Sequence, residues 1–128
     1  MSDTFDYAIV RVVPRVERGE QINAGVILSC ATRGFLAAKL ALDHARLRAL
    51  DPAIDVAEVE AALASIPWIA AGDPRGGPLA ALPRSERFHW LVAPRSAIIQ
   101  TSPVHTGLCD EPGDALDQLL ARLVLPVK

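Results

Sequence analysis

A histidine and a cysteine lie four residues apart near the end of the sequence, in the segment Pro-Val-His-Thr-Gly-Leu-Cys. A cysteine acts as a nucleophile when a neighbouring base or charge lowers the pKa of its thiol. Residues four apart face each other only on a helix, and Pro103 and Gly107 disfavour a helix in this segment. The sequence therefore favours His105 in a loop and Cys109 as a buried, inert thiol. An enzyme with His105 or His89 as acid–base group and Cys109 as nucleophile is one hypothesis, but no catalytic residue can be assigned and a non-enzymatic protein is favoured.

Metal and cofactor chemistry also has candidate residues. A metal site could combine Cys30, His105 and Cys109 with either His44 or His89. No spacing among these residues requires such a site. The sequence contains neither the phosphate-binding pattern Gly-x4-Gly-Lys-Ser/Thr nor a Gly-x-Gly-x-x-Gly fingerprint after a predicted strand. We therefore expect no metal and no cofactor.

Arg11 lies in the middle of the apolar run Ala-Ile-Val-Arg-Val-Val. A buried charge is costly unless it is paired, so Arg11 either faces water or meets an acceptor. If the predicted sheet exposes one face, several polar residues could converge with Arg11 on a pocket for an anion such as phosphate or carboxylate. The candidate ligand-binding residues are Arg11, Asn23, His89, Arg95 and Gln100, with His105 as a further member. The alternative, which stays open here, is that they form the solvated face of an antiparallel sheet.

Length and composition describe the molecule that must position these residues. The chain has 128 residues, of which 51% are hydrophobic, and this predicts a single domain over residues 1–128. A net charge of −2 lacks the basic excess of a general nucleic-acid-binding surface, although a local basic patch is possible. The first residues lack the pattern of a signal peptide, and no apolar window approaches the roughly 18 residues that span a membrane. We expect a cytoplasmic protein without a membrane segment.

The strand signals form two groups. Three β-rich segments joined by short links predict an antiparallel meander over residues 6–14, 22–30 and 35–42. Two more apolar segments, 88–92 and 97–101, predict a C-terminal hairpin. The intervening segment 71–87 is rich in glycine and proline and predicts the longest loop, and residues 102–111 predict a second irregular loop.

Helix signals fall between and after these strands. Asp43 is a candidate cap for a short helix that ends at Leu50, and Asp55 with Glu58 has capping-box spacing for a helix over about 55–66, ended by Pro67. A closing helix begins at Pro112, carries a leucine stripe and stops at Pro126. The fold class is therefore α+β, with an antiparallel sheet packed by two or three helices.

Several stretches of the sequence resemble, in order and over nearly the whole chain, a bacterial family of short proteins catalogued as domain of unknown function 3037. The stretches are 7–14, 22–28, 88–95, 99–109 and the leucine-rich closing helix. The resemblance implies a stand-alone cytoplasmic protein of bacterial type and brings no established activity. It also implies neighbours that resemble the toxin-type kinases of toxin–antitoxin pairs, and hence an accessory role. The motif residues that it implies are Arg11, Asn23, Gly25, Trp90, Arg95 and Gln100.

Three functions are therefore considered. The sequence favours an accessory or interaction module that binds another bacterial protein, such as a kinase-like neighbour. The second hypothesis is a module that binds a phosphorylated ligand or nucleic acid through Arg11, Arg15, Arg87, Arg95, His89 and Gln100. The third is the His/Cys-dependent enzyme described above.

Overall fold

Five antiparallel strands form one sheet in the computed structural model, which describes residues 2–127. Strand β1 lies inside the sheet, with β2 and then β3 on one side of it. On its other side, β5 pairs with the first half of β1 and β4 pairs with its end. The strands are β1 Asp3–Val12, β2 Ile22–Cys30, β3 Phe35–Leu40, β4 Ile99–Thr101 and β5 His105–Cys109.

Helices cover both faces of this sheet. The α-helices are α1 His44–Leu50, α2 Val56–Ala71, α3 Arg84–Leu91 and α4 Pro112–Leu123. Short 3-10 turns occupy Val16–Arg18, Ala31–Arg33 and Pro74–Ala81. The α+β class and the antiparallel meander predicted from the sequence are therefore confirmed.

The predicted helix caps also form. The side chain of Asp43 accepts a hydrogen bond from the backbone of Arg46, and that of Asp55 accepts one from Glu58. The predicted end of α2 at Pro67 is wrong, because the helix continues for one more turn to Ala71. Ile69 and Ala70 in that turn are buried, and this burial outweighs the cost of a proline inside the helix.

The C-terminal strands differ from the prediction in position and in pairing. Residues 88–92, predicted as a strand, lie mostly in α3. Phe88 and Leu91 are buried there with helical spacing, whereas Trp90 is exposed, so the alternation of Phe88, Trp90 and Val92 is not a strand pattern. The two C-terminal strands are β4 and β5, and each pairs with β1 rather than with the other.

The two segments predicted as loops are also more regular than expected. The segment 71–87 contains a 3-10 turn and the first half of α3, and the segment 102–111 contains β5. Both segments contain glycine and proline, which favour loops, but tertiary packing overrides that local preference.

Each face of the sheet has its own hydrophobic core. On the face that we call the α2/α3 face, Val10, Val12 and Leu36 pack with residues of the helices such as Leu63 and Ile69. On the opposite face, the α4 face, the buried residues include Phe5, Val26, Leu28, Leu116 and Val124. Polar side chains on either face therefore lie at the margins of a packed core rather than on an open sheet.

Gly107 marks a close approach within the α4 face. It lies opposite Phe5 in the β1–β5 pair, and a Cβ atom at this position would come within 2.6 Å of the Phe5 ring. Phe5 is itself buried, so its ring has little room to move. Glycine is therefore required here for space.

Gly107→Ala should lower the free energy of unfolding by about 1–3 kcal/mol, because the added methyl group overpacks the core beside Phe5. Urea denaturation of the two proteins measures this difference. The matched control is Gly113→Ala, in the first turn of α4, where a Cβ atom meets nothing within 4 Å. The control should be neutral or stabilising by up to about 1 kcal/mol. Equal effects of the two substitutions would contradict the close packing.

Ser102 holds the break between β4 and β5. It is buried, its hydroxyl accepts the Ile9 N–H at 2.8 Å and lies 2.9 Å from the Pro103 carbonyl, to which it donates. The backbone N–H of Ser102 in turn donates to Ile9. The side chain therefore replaces the ladder partner that β1 loses where the edge strand is interrupted.

Ser102→Ala should cost about 1–3 kcal/mol of stability, since the buried Ile9 N–H loses its acceptor. Thermal unfolding measures the loss. Ser85→Ala on exposed α3 is the control, and it should stay within about 0.5 kcal/mol of the wild type. A neutral Ser102→Ala would mean that water takes over the hydroxyl's role.

Candidate functional site

Arg95 and Trp90 form a fixed pair at the end of α3. The guanidinium of Arg95 donates to the carbonyl oxygens of Leu91 at 3.5 Å and Trp90 at 2.5 Å. Its central carbon lies 4.2 Å from the centroid of the Trp90 ring. Among residues 2–127, no carboxylate forms an ion pair with Arg95. The charge is thus held in place at the helix end but not neutralised.

Trp90 and Arg95 are part of the wall of an open apolar groove between α2, the end of α3 and the start of β4. The groove has a volume of about 580 Å³ and is lined by Val16, Ala62, Ser65, Ile66, Trp90, Arg95, Ala97, Ile98 and Ile99. Three of the large apolar side chains in it are well exposed, Ile98 by 44%, Trp90 by 40% and Val16 by 39%. We call this surface the α2/α3 groove.

Local structure explains why the groove exists. Ala62 and Ser65 are small residues on the outer side of α2, and they leave space beside Ile66. On the opposite wall, the Ile98 carbonyl accepts the Val13 N–H at 2.7 Å, which extends the β1–β4 pairing by one residue and fixes the segment before β4. The groove is therefore lined by side chains of α2 and α3 and by a segment that bonds to the end of β1.

Arg11, Asn23 and Gln100 form a row across three neighbouring strands. Arg11 pairs with Asn23 of β2 and with Gln100 of β4, so the three side chains share the α4 face. A register irregularity between Val10 and Arg11 produces the first of these pairs. Gly25 lies beside this irregularity, and a glycine inside a strand indicates a bulge or a close backbone approach.

The amide groups in this row already have backbone partners. Asn23 Nδ2 donates to the Leu123 carbonyl at the end of α4, and Gln100 Nε2 donates to the Ala97 carbonyl, each at 2.9 Å. Arg11 is half-buried, and its Nε is buried with no hydrogen-bond partner in the described part of the chain. No carboxylate of residues 2–127 pairs with it. Arg11 is therefore a second cation available to an outside anion.

The other predicted ligand-binding residues lie elsewhere. His89 is exposed on α3, over the α2/α3 face, beside a shallow pocket that includes Asp6, Arg84 and Ser85. The His105 ring stacks on Tyr7, with 5.3 Å between the centroids. The structure thus brings together Arg11, Asn23 and Gln100, but it separates them from His89, Arg95 and His105.

Cys109 does not form a catalytic pair with His105. The two residues lie at the ends of β5, about 13 Å apart along an extended strand. Cys109 is buried, and burial raises the pKa of its thiol, with a smaller contribution from the neighbouring Cys30 thiol. Cys30 Sγ donates to the Thr4 carbonyl at 3.6 Å. Both cysteines are free thiols that pack in the core of the α4 face.

Within residues 2–127, no group of three or more His, Cys, Asp or Glu side chains is arranged to hold a metal ion. None of the helices described is long and apolar enough to cross a membrane.

The α2/α3 groove is the feature that sequence reasoning missed. The sequence places Trp90 in a predicted strand and, through the family resemblance, among the motif residues, but it gives no functional signal for Val16, Ile66 or Ile98. Helical periodicity of Phe88 and Leu91 would have placed Trp90 on the outer side of a helix. The approach of Val16 and Ile98 to that helix is a tertiary feature with no local signal.

Cys109 should react with a thiol-specific disulfide reagent more slowly than a free model thiol near neutral pH. A raised pKa leaves a smaller fraction of thiolate, and burial restricts access of the reagent. Peptide mass spectrometry assigns the reaction to Cys109 or Cys30, and the chain unfolded in denaturant provides the unprotected control. A rate above that of the model thiol would restore the hypothesis of a Cys-dependent enzyme.

Comparisons with known proteins identify a family but no activity. The family model described as "Protein of unknown function (DUF3037)" matches residues 7–124, which include both the α2/α3 groove and the row of Arg11, Asn23 and Gln100. No curated protein and no solved structure matches the chain. The match spans all five strands except the first residues of β1, and it ends at the residue after α4. The chain therefore belongs to the DUF3037 family.

Proposed function

We propose that this protein is an interaction module that binds an apolar segment of a partner protein in the α2/α3 groove. The single observation that carries the proposal is the exposure of Trp90, Ile98 and Val16 along one groove. Exposed apolar side chains are common singly, whereas a contiguous set around a groove is typical of an interaction site.

The residue types in the groove favour a protein partner. Tryptophan and arginine are the side chains that most often dominate binding energy at protein interfaces. Here Arg95 is held by two carbonyl oxygens and stacks on Trp90, so both side chains are ordered before a partner arrives. Binding to such a surface loses less conformational entropy than binding to mobile side chains.

The unneutralised charge of Arg95 adds a chemical requirement. An apolar segment that fills the groove places its flanking residues beside this guanidinium at the rim. A flanking Asp or Glu would complement it, while Lys or Arg would be repelled. The partner segment is therefore expected to combine large apolar side chains with an acidic residue.

A second candidate function is the binding of a phosphorylated ligand or nucleic acid by Arg11. Its support is the unpaired guanidinium of Arg11 beside Gln100. The side-chain amide nitrogens of Asn23 and Gln100 already donate to backbone carbonyls. The row therefore offers an anion one cation, Arg11, rather than a cluster of donors. Nucleic-acid binding usually involves several phosphate contacts, and for this reason the groove is the preferred site.

The proposed setting is the bacterial cytoplasm, where the module would serve as an accessory to another protein. The two free thiols, Cys30 and Cys109, are consistent with a reducing compartment. A kinase-like protein, suggested by the family resemblance, is a specific candidate for the partner.

Ile98→Asp should weaken partner binding by about tenfold or more, because it places a carboxylate in the apolar groove next to the segment that binds there. The measurement is retention of a stoichiometric protein by the tagged chain from a lysate of its source organism at physiological salt. Ile98 is exposed, so the substitution leaves the fold intact.

Leu108→Asp is the matched control for this experiment. Leu108 is 71% exposed on β5 and lies outside the groove, so the same charge is added to an apolar surface position elsewhere. The proposal requires retention by the wild type and by Leu108→Asp, and loss with Ile98→Asp. Retention by all three proteins, or loss in both variants, would contradict a role for the groove.

A further inference from the structure

Strand β4 has a backbone edge that faces away from β1. The β1–β4 ladder bonds Val13 N–H to the Ile98 carbonyl and Ser102 N–H to the Ile9 carbonyl. Antiparallel strands alternate between bonded and unbonded residues, so Ile98, Gln100 and Ser102 direct their backbone groups towards β1. Ile99 and Thr101 direct theirs outwards, and in residues 2–127 these groups have no other backbone or side-chain partner. A strand edge of this kind is a template for another strand.

This edge runs directly beside the α2/α3 groove. Ile99 pairs with Val12 and Thr101 pairs with Val10, so both side chains lie on the α2/α3 face, where Ile99 lines the groove. Gln100 lies on the opposite face beside Arg11. A strand added to β4 would therefore direct alternate side chains into the groove and the intervening side chains towards Gln100 and Arg11.

The far edge of the sheet, at β3, and the break next to β4 carry features that discourage pairing. At the far edge, β3 carries Lys39, whose ammonium forms an ion pair with Asp117 of α4. Beyond β4, the edge is broken at residues 102–104, where Pro103 has no N–H to donate. Strand β4 itself contains only Ile, Gln and Thr, with no charge and no proline. The edge beside the groove is thus left open over Ile99–Thr101.

The charges around this edge favour an acidic partner. On the groove side, Arg95 is held at the rim, and on the other side Arg11 is half-buried beside Gln100. Neither has a carboxylate partner within the described residues. A strand with apolar residues towards the groove and an acidic residue towards Gln100 would satisfy the backbone, the groove and the Arg11 guanidinium together.

We propose that the partner segment binds as an added β-strand on the open edge of β4, with alternating apolar and acidic side chains. Its backbone bonds to Ile99 and Thr101, its apolar side chains enter the α2/α3 groove, and an acidic side chain reaches past Gln100 towards Arg11. This inference rests on the proposed function, which requires only that an apolar segment occupies the groove.

The test uses three blocked synthetic peptides of seven residues and the full chain. The first alternates Val with Glu, the second replaces each Glu by Gln, and the third has the composition of the first with the alternation removed. Amide hydrogen exchange, followed residue by residue by NMR, reports pairing at Ile99 and Thr101. Chemical shifts of Trp90 and Ile98 report occupation of the groove.

The proposal expects the first peptide to slow exchange at Ile99 and Thr101 by about tenfold or more, as a bonded amide exchanges only when the strand opens. The Gln peptide should bind several-fold more weakly, and Arg11→Gln should abolish that difference between the two peptides. The third peptide should leave the two amides unprotected.

A proline substitution checks the backbone directly. Thr101→Pro removes an outward N–H without removing a bond to β1, and it should weaken binding of the first peptide by about tenfold, the value of one hydrogen bond. Thr101→Val is the matched control, because it keeps the N–H and removes only the hydroxyl that donates to Val92. The control should bind within about twofold of the wild type. If Thr101→Pro fails to fold, protection of the Ile99 and Thr101 amides in the wild type decides whether the peptide binds as an added strand.

The outcomes separate this inference from the proposed function. Shifts at Trp90 and Ile98 without protection of Ile99 and Thr101 would overturn strand addition and leave groove binding intact. No response at either place would overturn both. Protection that rises with protein concentration in the absence of peptide would assign the edge to a second copy of this chain and overturn the proposal.

Discussion

Strand β1 imposes the constraint on which the rest of the structure depends. It is covered on both faces and paired on both edges, so each of its backbone polar groups must find a partner inside the protein. One edge is satisfied by the continuous strand β2. The other is satisfied in two parts, by β5 along Asp3–Tyr7 and by β4 along Val10–Val12, with the hydroxyl of Ser102 between them. The buried Ser102 thus allows β1 to remain continuous although its partner on this edge is divided into β5 and β4.

This break also determines which surfaces are open. Strand β4 contains only Ile99–Thr101 and carries no charged side chain, and the chain that leads into it folds back from the end of α3. That return places Ile98 opposite α2 and leaves Trp90 at the side of the groove. The groove and the open edge therefore both result from the pairing of β4 with β1, which involves only three residues at the end of β1.

The features that could be predicted from the sequence are those that depend on residues close together in the chain. The meander, the caps at Asp43 and Asp55 and the closing helix depend on residues close together in the chain, and these were predicted correctly. Segment 88–92 was assigned to the wrong class, since a short apolar run fits both periods and the burial of Phe88 and Leu91 by α2 and the sheet decides between them. Strand β5 was missed because glycine is typical of loops. Gly107 is glycine for another reason, since the Phe5 ring opposite it leaves no space for a Cβ atom.

The same distinction between local and tertiary signals applies to the candidate site. The row of Arg11, Asn23 and Gln100 was anticipated as a cluster, but its register depends on an irregularity in the β1–β2 pairing, which only the folded sheet specifies. Arg95 was anticipated as a polar residue of the same cluster, yet its carbonyl partners and its stacking on Trp90 belong to the opposite face. Two guanidinium groups that form no ion pair within residues 2–127 therefore flank β4 from its two sides. A strand at the edge of β4 has side chains on both faces, so one of them can reach Arg11 while its neighbours pack in the groove beside Arg95 and Trp90.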